Sequence, residues 1–214
     1  MCELEIIFQD AAIVVVNKPG GLLAVPGRGP DKQDCVTQRV RLLFPDCIEQ
    51  PAAHRLDMDT SGLMVLGITA QAHRHLSAQF SQRTVEKTYL ALLDGSVAKE
   101  SGEIALRFRL DPDNRPHQVY DPVQGKLGQT RWRKLSTLQG QSLIEFIPLT
   151  GRTHQLRLHA AHPLGLGSAI AGDRLYGTGV LGDRLCLHAA RLCFDHPESG
   201  ERLEFISSAP FLDV

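Results

Sequence analysis

No apolar run in this chain approaches the ~20 residues that a membrane-spanning helix needs, so no membrane span is expected. The opening residues, Met1-Cys2-Glu3-Leu4-Glu5, offer neither a basic segment nor an apolar one, so no secretory signal is expected either. Cysteine is sparse and unpaired in pattern. The five residues at 2, 35, 47, 186 and 193 form no Cys-x-x-Cys and are odd in number, which argues against a disulfide framework. Thiols in a reducing compartment fit better, and a cytoplasmic protein is the expectation. Net charge is also missing: 23 basic and 24 acidic residues nearly cancel, so charge alone names no partner. Repeats, low-complexity tracts and long linkers are absent. One domain over residues 1–214 is expected, with enough apolar sequence for a core that needs no metal or disulfide.

What is present is unevenly placed. Arg107 to Lys134 contains seven Lys/Arg against three Asp, and Thr150 to His162 holds two Arg, three His and no acid. Such stretches either follow a phosphate backbone or are solvated strand faces. His154, His159 and His162 lie five and three residues apart. That is not the i, i+4 pairing of a zinc helix, so no metal site is expected.

The β-branched run Ile13–Val16 predicts a strand ending at the turn Asn17-Lys18-Pro19-Gly20-Gly21. A helix is expected over Cys35–Phe44, stopped by Pro45, and a strand over residues 63–68. Thr69 can cap a helix from Ala70 to Gln82 that buries Ala72, Leu76 and Phe80. Further strands are expected over Val85–Leu93, over Gly102–Val119 with a break at Asp111-Pro112-Asp113-Asn114, and as a hairpin of Thr130–Leu138 with Ser142–Ile147. Gly151 and Thr153 should open a helix through His162, followed by a Gly-rich loop to Gly182 and strands over Cys186–Phe194 and Arg202–Ile206. Strands outnumber helices without regular alternation, so the expected fold is α+β with a largely antiparallel sheet.

The stretch with most chemistry is His54-Arg55-Leu56-Asp57-Met58-Asp59-Thr60-Ser61-Gly62. It sets a carboxylate near basic residues at the lip of a strand, where Asp57 could serve as a nucleophile or a general base. The pair Asp57 and Asp59 also resembles the Asp-x-Asp-x-Thr signature of haloacid-dehalogenase-type, magnesium-dependent phosphatases. That signature should follow a buried apolar strand, and Gln50-Pro51-Ala52-Ala53-His54-Arg55 is a poor one.

The loop is not alone. Asn17-Lys18-Pro19-Gly20-Gly21, the His54–Gly62 loop, Glu86-Lys87-Thr88-Tyr89-Leu90-Ala91, Gly151-Arg152-Thr153-His154-Gln155-Leu156-Arg157-Leu158-His159, Gly172-Asp173-Arg174-Leu175-Tyr176-Gly177 and Leu187-His188-Ala189 resemble, in order, the motifs of the RluA-type pseudouridine synthases. The resemblance covers nearly the whole chain. It implies a single pseudouridine-synthase catalytic domain, a monomer that isomerises uridines in structured RNA with no cofactor and no metal. It nominates Asp57 as the essential carboxylate, Arg157 as its counter-charge and Tyr89 as the platform under the uracil. It places Arg55 in the space left by the flipped base and Arg152 and His154 against RNA, with Lys18 and Lys87 either touching RNA phosphate or supporting the fold, while Asp59 has no role. The chain resembles compact members without an S4-like domain. Asn114-Arg115-Pro116 and Gly125-x-x-x-Gln129-Thr130 are shared with a type acting on both ribosomal and transfer RNA. The segment 160–171 is longer than in the shortest members. A non-catalytic RNA-binding domain of the same fold is the remaining alternative.

Overall fold

Strand formation dominates the chain because β-branched and aromatic residues recur in short runs between turn residues. In the computed structural model, which describes residues 4–212, they build ten strands, and three α-helices accompany them. The fold is α+β. Its residues group into two compact units, Met1–Lys87 with Ala189–Val214, and Thr88–His188.

In the first unit, β1 (Glu5–Gln9) pairs antiparallel with β2 (Ile13–Lys18), and β2 with β3 (Ser61–Gly67). Strand β9 (Leu187–Asp195) pairs antiparallel with β10 (Arg202–Ile206). All seven residues of β3 are buried. Two helices belong to this unit: α1 (Val36–Leu43) and α2 (Ala70–Gln82). The Thr69 side chain accepts from the Ala72 N–H and caps α2 as expected. Ala72 and Leu76 then pack with Ile13, Val15, Leu63, Val65, Leu192 and Phe194 in one core. Gly62 must be glycine: its φ is 115°, and a Cβ there would collide with the Ala189 backbone. Strand β1 was not expected from the sequence. Its only signal is a five-residue alternation of exposed and half-buried positions.

The second unit is an antiparallel sheet. Strands β4 (Glu86–Leu93), β8 (Gln141–Pro148), β7 (Lys126–Leu138), β5 (Ser101–Leu110) and β6 (Gln118–Tyr120) neighbour one another in that order. The β7–β8 hairpin turns on Gln139 and Gly140, both at positive φ (52° and 82°), the pattern that follows strand twist. Ile104, Leu106, Phe108, Trp132, Ile144 and Phe146 point to one core, which α3 (Gln155–Ala161) covers with Leu156, Leu158 and Ala160. Helix α3 starts later than Gly151. His154 sits in the left-handed region at φ 54°, so the residues before it form a turn rather than a first helical turn. Cys35, Cys47, Cys186 and Cys193 are free thiols, and Cys2 lies outside the described residues.

Candidate active site

The loop ahead of β3 is short and tied from inside. Thr60 donates its N–H to the Asp57 carbonyl at 3.2 Å, closing a tight turn around Met58 and Asp59. The Met58 carbonyl accepts from Gly21 N at 2.9 Å and from Lys18 Nζ at 2.8 Å. Asp57 and Asp59 are half-buried and flank that carbonyl, while Arg55 is exposed.

Lys18, expected either to touch RNA or to support the fold, has a side chain that is 0% exposed. Its three N–H donors go to the carbonyls of Pro19 (2.9 Å), Leu22 (2.8 Å) and Met58 (2.8 Å). An ammonium with every donor used has none left for a phosphate. Burial pushes its pKa down to about 7, against the opposing pull of Asp59 and Asp57. Lys18 is therefore a cation that the first unit itself brings to the Asp57 loop.

His54 closes the other side. Its Nε2 accepts from Val65 N at 3.1 Å, and its ring stacks on Phe80 at 4.3 Å. Burial and the nearby Lys87 push His54 down to about 3, so the ring is neutral with its proton on Nδ1. Lys87 is half-buried, with its Nζ 5.9 Å from the Phe80 ring, and burial lowers its pKa.

In the second unit, Tyr89 lies on β4 opposite Phe146, half-buried and packed on the core. Arg157 is 2% exposed and Asp173 0%. The guanidinium meets the carboxylate edge to edge: Nε to Oδ2 at 2.8 Å and Nη2 to Oδ1 at 2.6 Å. Burial pushes the Asp173 carboxyl up. Arg157 and the N–H groups of Leu175 and Tyr176 outweigh that and hold it below the usual carboxylate range. The sequence did not announce Asp173 as the partner; its only signal was its place in Gly172–Gly177.

The turn before α3 rests on a buried amide. Gln155 Nε2 donates to Gln129 O and Thr130 Oγ1, both at 2.9 Å. Its Oε1 accepts from Thr150 Oγ1 at 2.7 Å and Arg152 N at 3.0 Å, so all four hydrogen-bonding positions are filled. Arg152 is exposed. His154, the left-handed residue before α3, is 7% exposed, with Nδ1 2.9 Å from the Tyr176 hydroxyl. His159 is buried beside Thr130 Oγ1 (3.0 Å) and pushed down to about 4 by burial, then by His162.

The basic stretch on β5 and β7 is largely compensated. Arg109, Arg131, Arg133 and Lys134 pair with Asp121, Glu103, Glu145 and Glu100. Glu103 and Glu145 lie directly across from Arg131 and Arg133 on neighbouring strands, and Glu100 precedes β5, so these three acids fall outside a count along Arg107–Lys134; Asp121 follows β6 within it. The phosphatase reading fails. Ser61 stands where its signature needs Thr, and the residues before Asp57 form a loop instead of a buried strand. Among the described residues no group of three or more His, Cys, Asp or Glu could hold a metal, and no helix is long and apolar enough to cross a membrane.

Comparison with known proteins defines the class. Residues 12–162 match the RNA pseudouridylate synthase family. The chain is 42% identical over 212 residues to the dual-specificity RNA pseudouridine synthase RluA of Haemophilus influenzae, covering 97% of this chain and 94% of that protein. The RluA of Yersinia pestis is 41% identical over 210 residues, covering 96% and 99%. Among solved structures, human RNA pseudouridylate synthase domain containing 1 superposes with a TM-score of 0.78 at 29% identity, covering 98% of this chain and 84% of the human one. The chain belongs to the RNA pseudouridylate synthase family, and within it to the RluA type. It is an isomerase, an RNA pseudouridine synthase.

Proposed function

We propose that the enzyme isomerises uridines in stem–loops of ribosomal RNA, of transfer RNA, or of both, acting as a monomeric single catalytic domain in the cytoplasm. The observation that carries this reading is the match, across nearly the whole chain, to enzymes described as dual-specificity. The target nucleotide leaves its stack, at a cost of a few kcal/mol. The N1–C1′ bond breaks, a C5–C1′ bond forms, the C5 proton leaves and N1 gains one. Asp57 is the carboxylate that assists this exchange, by attack on the nucleotide or by taking a sugar proton. Tyr89 packs on the uracil, and Arg157 supplies counter-charge. Arg55, exposed two residues from Asp57, fills the vacated space, where a guanidinium both stacks and binds phosphate. Lys87 and Arg152 contact the RNA backbone.

The test uses transcripts carrying tritium at uridine C5, with no added metal. Wild-type protein should release tritium, and Asp57→Asn should lose at least about a thousandfold in rate. Robust release by that variant would remove Asp57 from the chemistry. Transfer-RNA and ribosomal-RNA stem–loops assayed separately decide between single and dual specificity.

A further inference from the structure

The Gly172–Gly177 motif carries two residues that no catalytic role absorbs, and one of them, Tyr176, touches both His154 and Arg157. The Tyr176 hydroxyl accepts from Gln118 N at 2.7 Å and is 2.9 Å from His154 Nδ1. The face of its ring lies under Arg157, with the guanidinium carbon 5.5 Å from the ring centre. The His154 ring meets it edge-on at 5.7 Å. Asp173 holds the guanidinium by its edge, and the Tyr176 ring lies beneath its central carbon.

The segment bearing Tyr176 is itself held from both sides. Asp173 Oδ1 accepts from Leu175 N (2.8 Å) and Tyr176 N (3.1 Å). The Leu175 carbonyl is 3.1 Å from His117 Nε2, and His117 Nδ1 is 2.9 Å from the Asn114 carbonyl. The His117 ring also packs edge-on against Tyr176 at 5.7 Å. Tyr176 is thus fixed through its backbone, its ring and its hydroxyl, although it is only half-buried. A side chain needed only to fill the core would not require three kinds of restraint.

We propose that Tyr176 is a positioning residue for uridine isomerisation, setting the His154 ring through its hydroxyl and the Arg157 guanidinium through its ring face. This rests on the reading of Arg157 as part of the uridine site. Misplacing a catalytic group by about 1 Å can cost up to about a hundredfold, so loss of one restraint of two should cost less.

Tyr176→Phe removes the hydroxyl and keeps the ring. It should lower kcat about tenfold, with KM within roughly threefold and the thermal midpoint nearly unchanged. Tyr176→Leu should lower kcat further, because Arg157 then loses its platform. Combining Tyr176→Phe with His154→Gln should cost no more than the worse single change, because the hydroxyl acts through His154. Full kcat in Tyr176→Phe would overturn the proposal, as would multiplicative losses in the double variant. A purely structural role would lower the midpoint and leave kcat per folded molecule intact. Arg157→Met separates the two readings: full turnover there would sink the site assignment and this inference together. Loss there with full turnover in Tyr176→Phe would sink only the inference.

Discussion

The two units hold their functional segments with buried cations of opposite design. Lys18 sits among three carbonyls, with no carboxylate bonded to it among the described residues, under the turn that carries Asp57. Arg157 is locked to a carboxylate through two parallel bonds, on the helix after Gln155. Carbonyl dipoles compensate a charge less completely than a full counter-charge does, so burial still depresses Lys18 to about 7. Arg157 keeps its charge and in turn makes Asp173 a stronger acid. The difference is one of pH: the support beneath Asp57 can lose its charge near neutrality, and the support of Arg157 is vulnerable only in acid.

The largest break in this comparison comes from the ion pair. Asp173→Asn removes the carboxylate charge bonded to Nε and Nη2 of the buried guanidinium and leaves two backbone N–H groups with a weaker acceptor. About 3–5 kcal/mol of stability should be lost, read from urea unfolding at neutral pH. A loss under about 1 kcal/mol would mean that water reaches Arg157. Lys18→Met should cost less, about 1–3 kcal/mol, since it strands carbonyls instead of a charge.

The pH dependence sharpens the contrast. The Lys18 value in the folded chain, about 7, lies below its ordinary 10.5. Between these values the unfolded chain holds the proton and the folded chain has released it. Raising pH across that window therefore favours folding, and the wild type should gain stability there relative to Lys18→Met. Parallel curves for the two proteins would refute this. Asp173 behaves oppositely: its lowered value gives stability that is present at neutral pH and lost as pH falls through the folded-state value. Asp173→Asn should flatten that acid limb.

The smallest effect belongs to the exposed strand face. Arg133 and Glu145 form a solvent-exposed pair, so Arg133→Gln should change stability by less than about 1 kcal/mol. It should leave RNA affinity within about twofold, because its charge is already compensated. A steep drop in affinity would return the β5–β7 face to the RNA-binding surface.

Much of this was legible locally. Thr69 announced α2 through its cap, Gln139-Gly140 announced the hairpin, and the motif containing Asp57 announced a loop at the lip of a strand. Strand β1 was not legible, because five residues of weak alternation give little signal until β2 pairs with them. The late start of α3 was hidden because Gly151 and Thr153 suit a helix opening, while His154 in fact takes a left-handed backbone. Among the candidate site residues, Arg55 and Arg152 are exposed and Asp57 is half-buried, while Lys18 and His154 are buried.

Residue identity and spacing were sufficient for the family, the α+β class and the nomination of Asp57, because motif chemistry and hydrophobic period are local properties. Which cation is buried, and against what, was decided only by tertiary structure. The partners of Lys18 and Arg157 include groups 40 and 16 residues away in sequence, and a charge's environment depends on distance in space. Lysine in a turn reads as a solvent-facing cation until the carbonyls of Pro19, Leu22 and Met58 close around it.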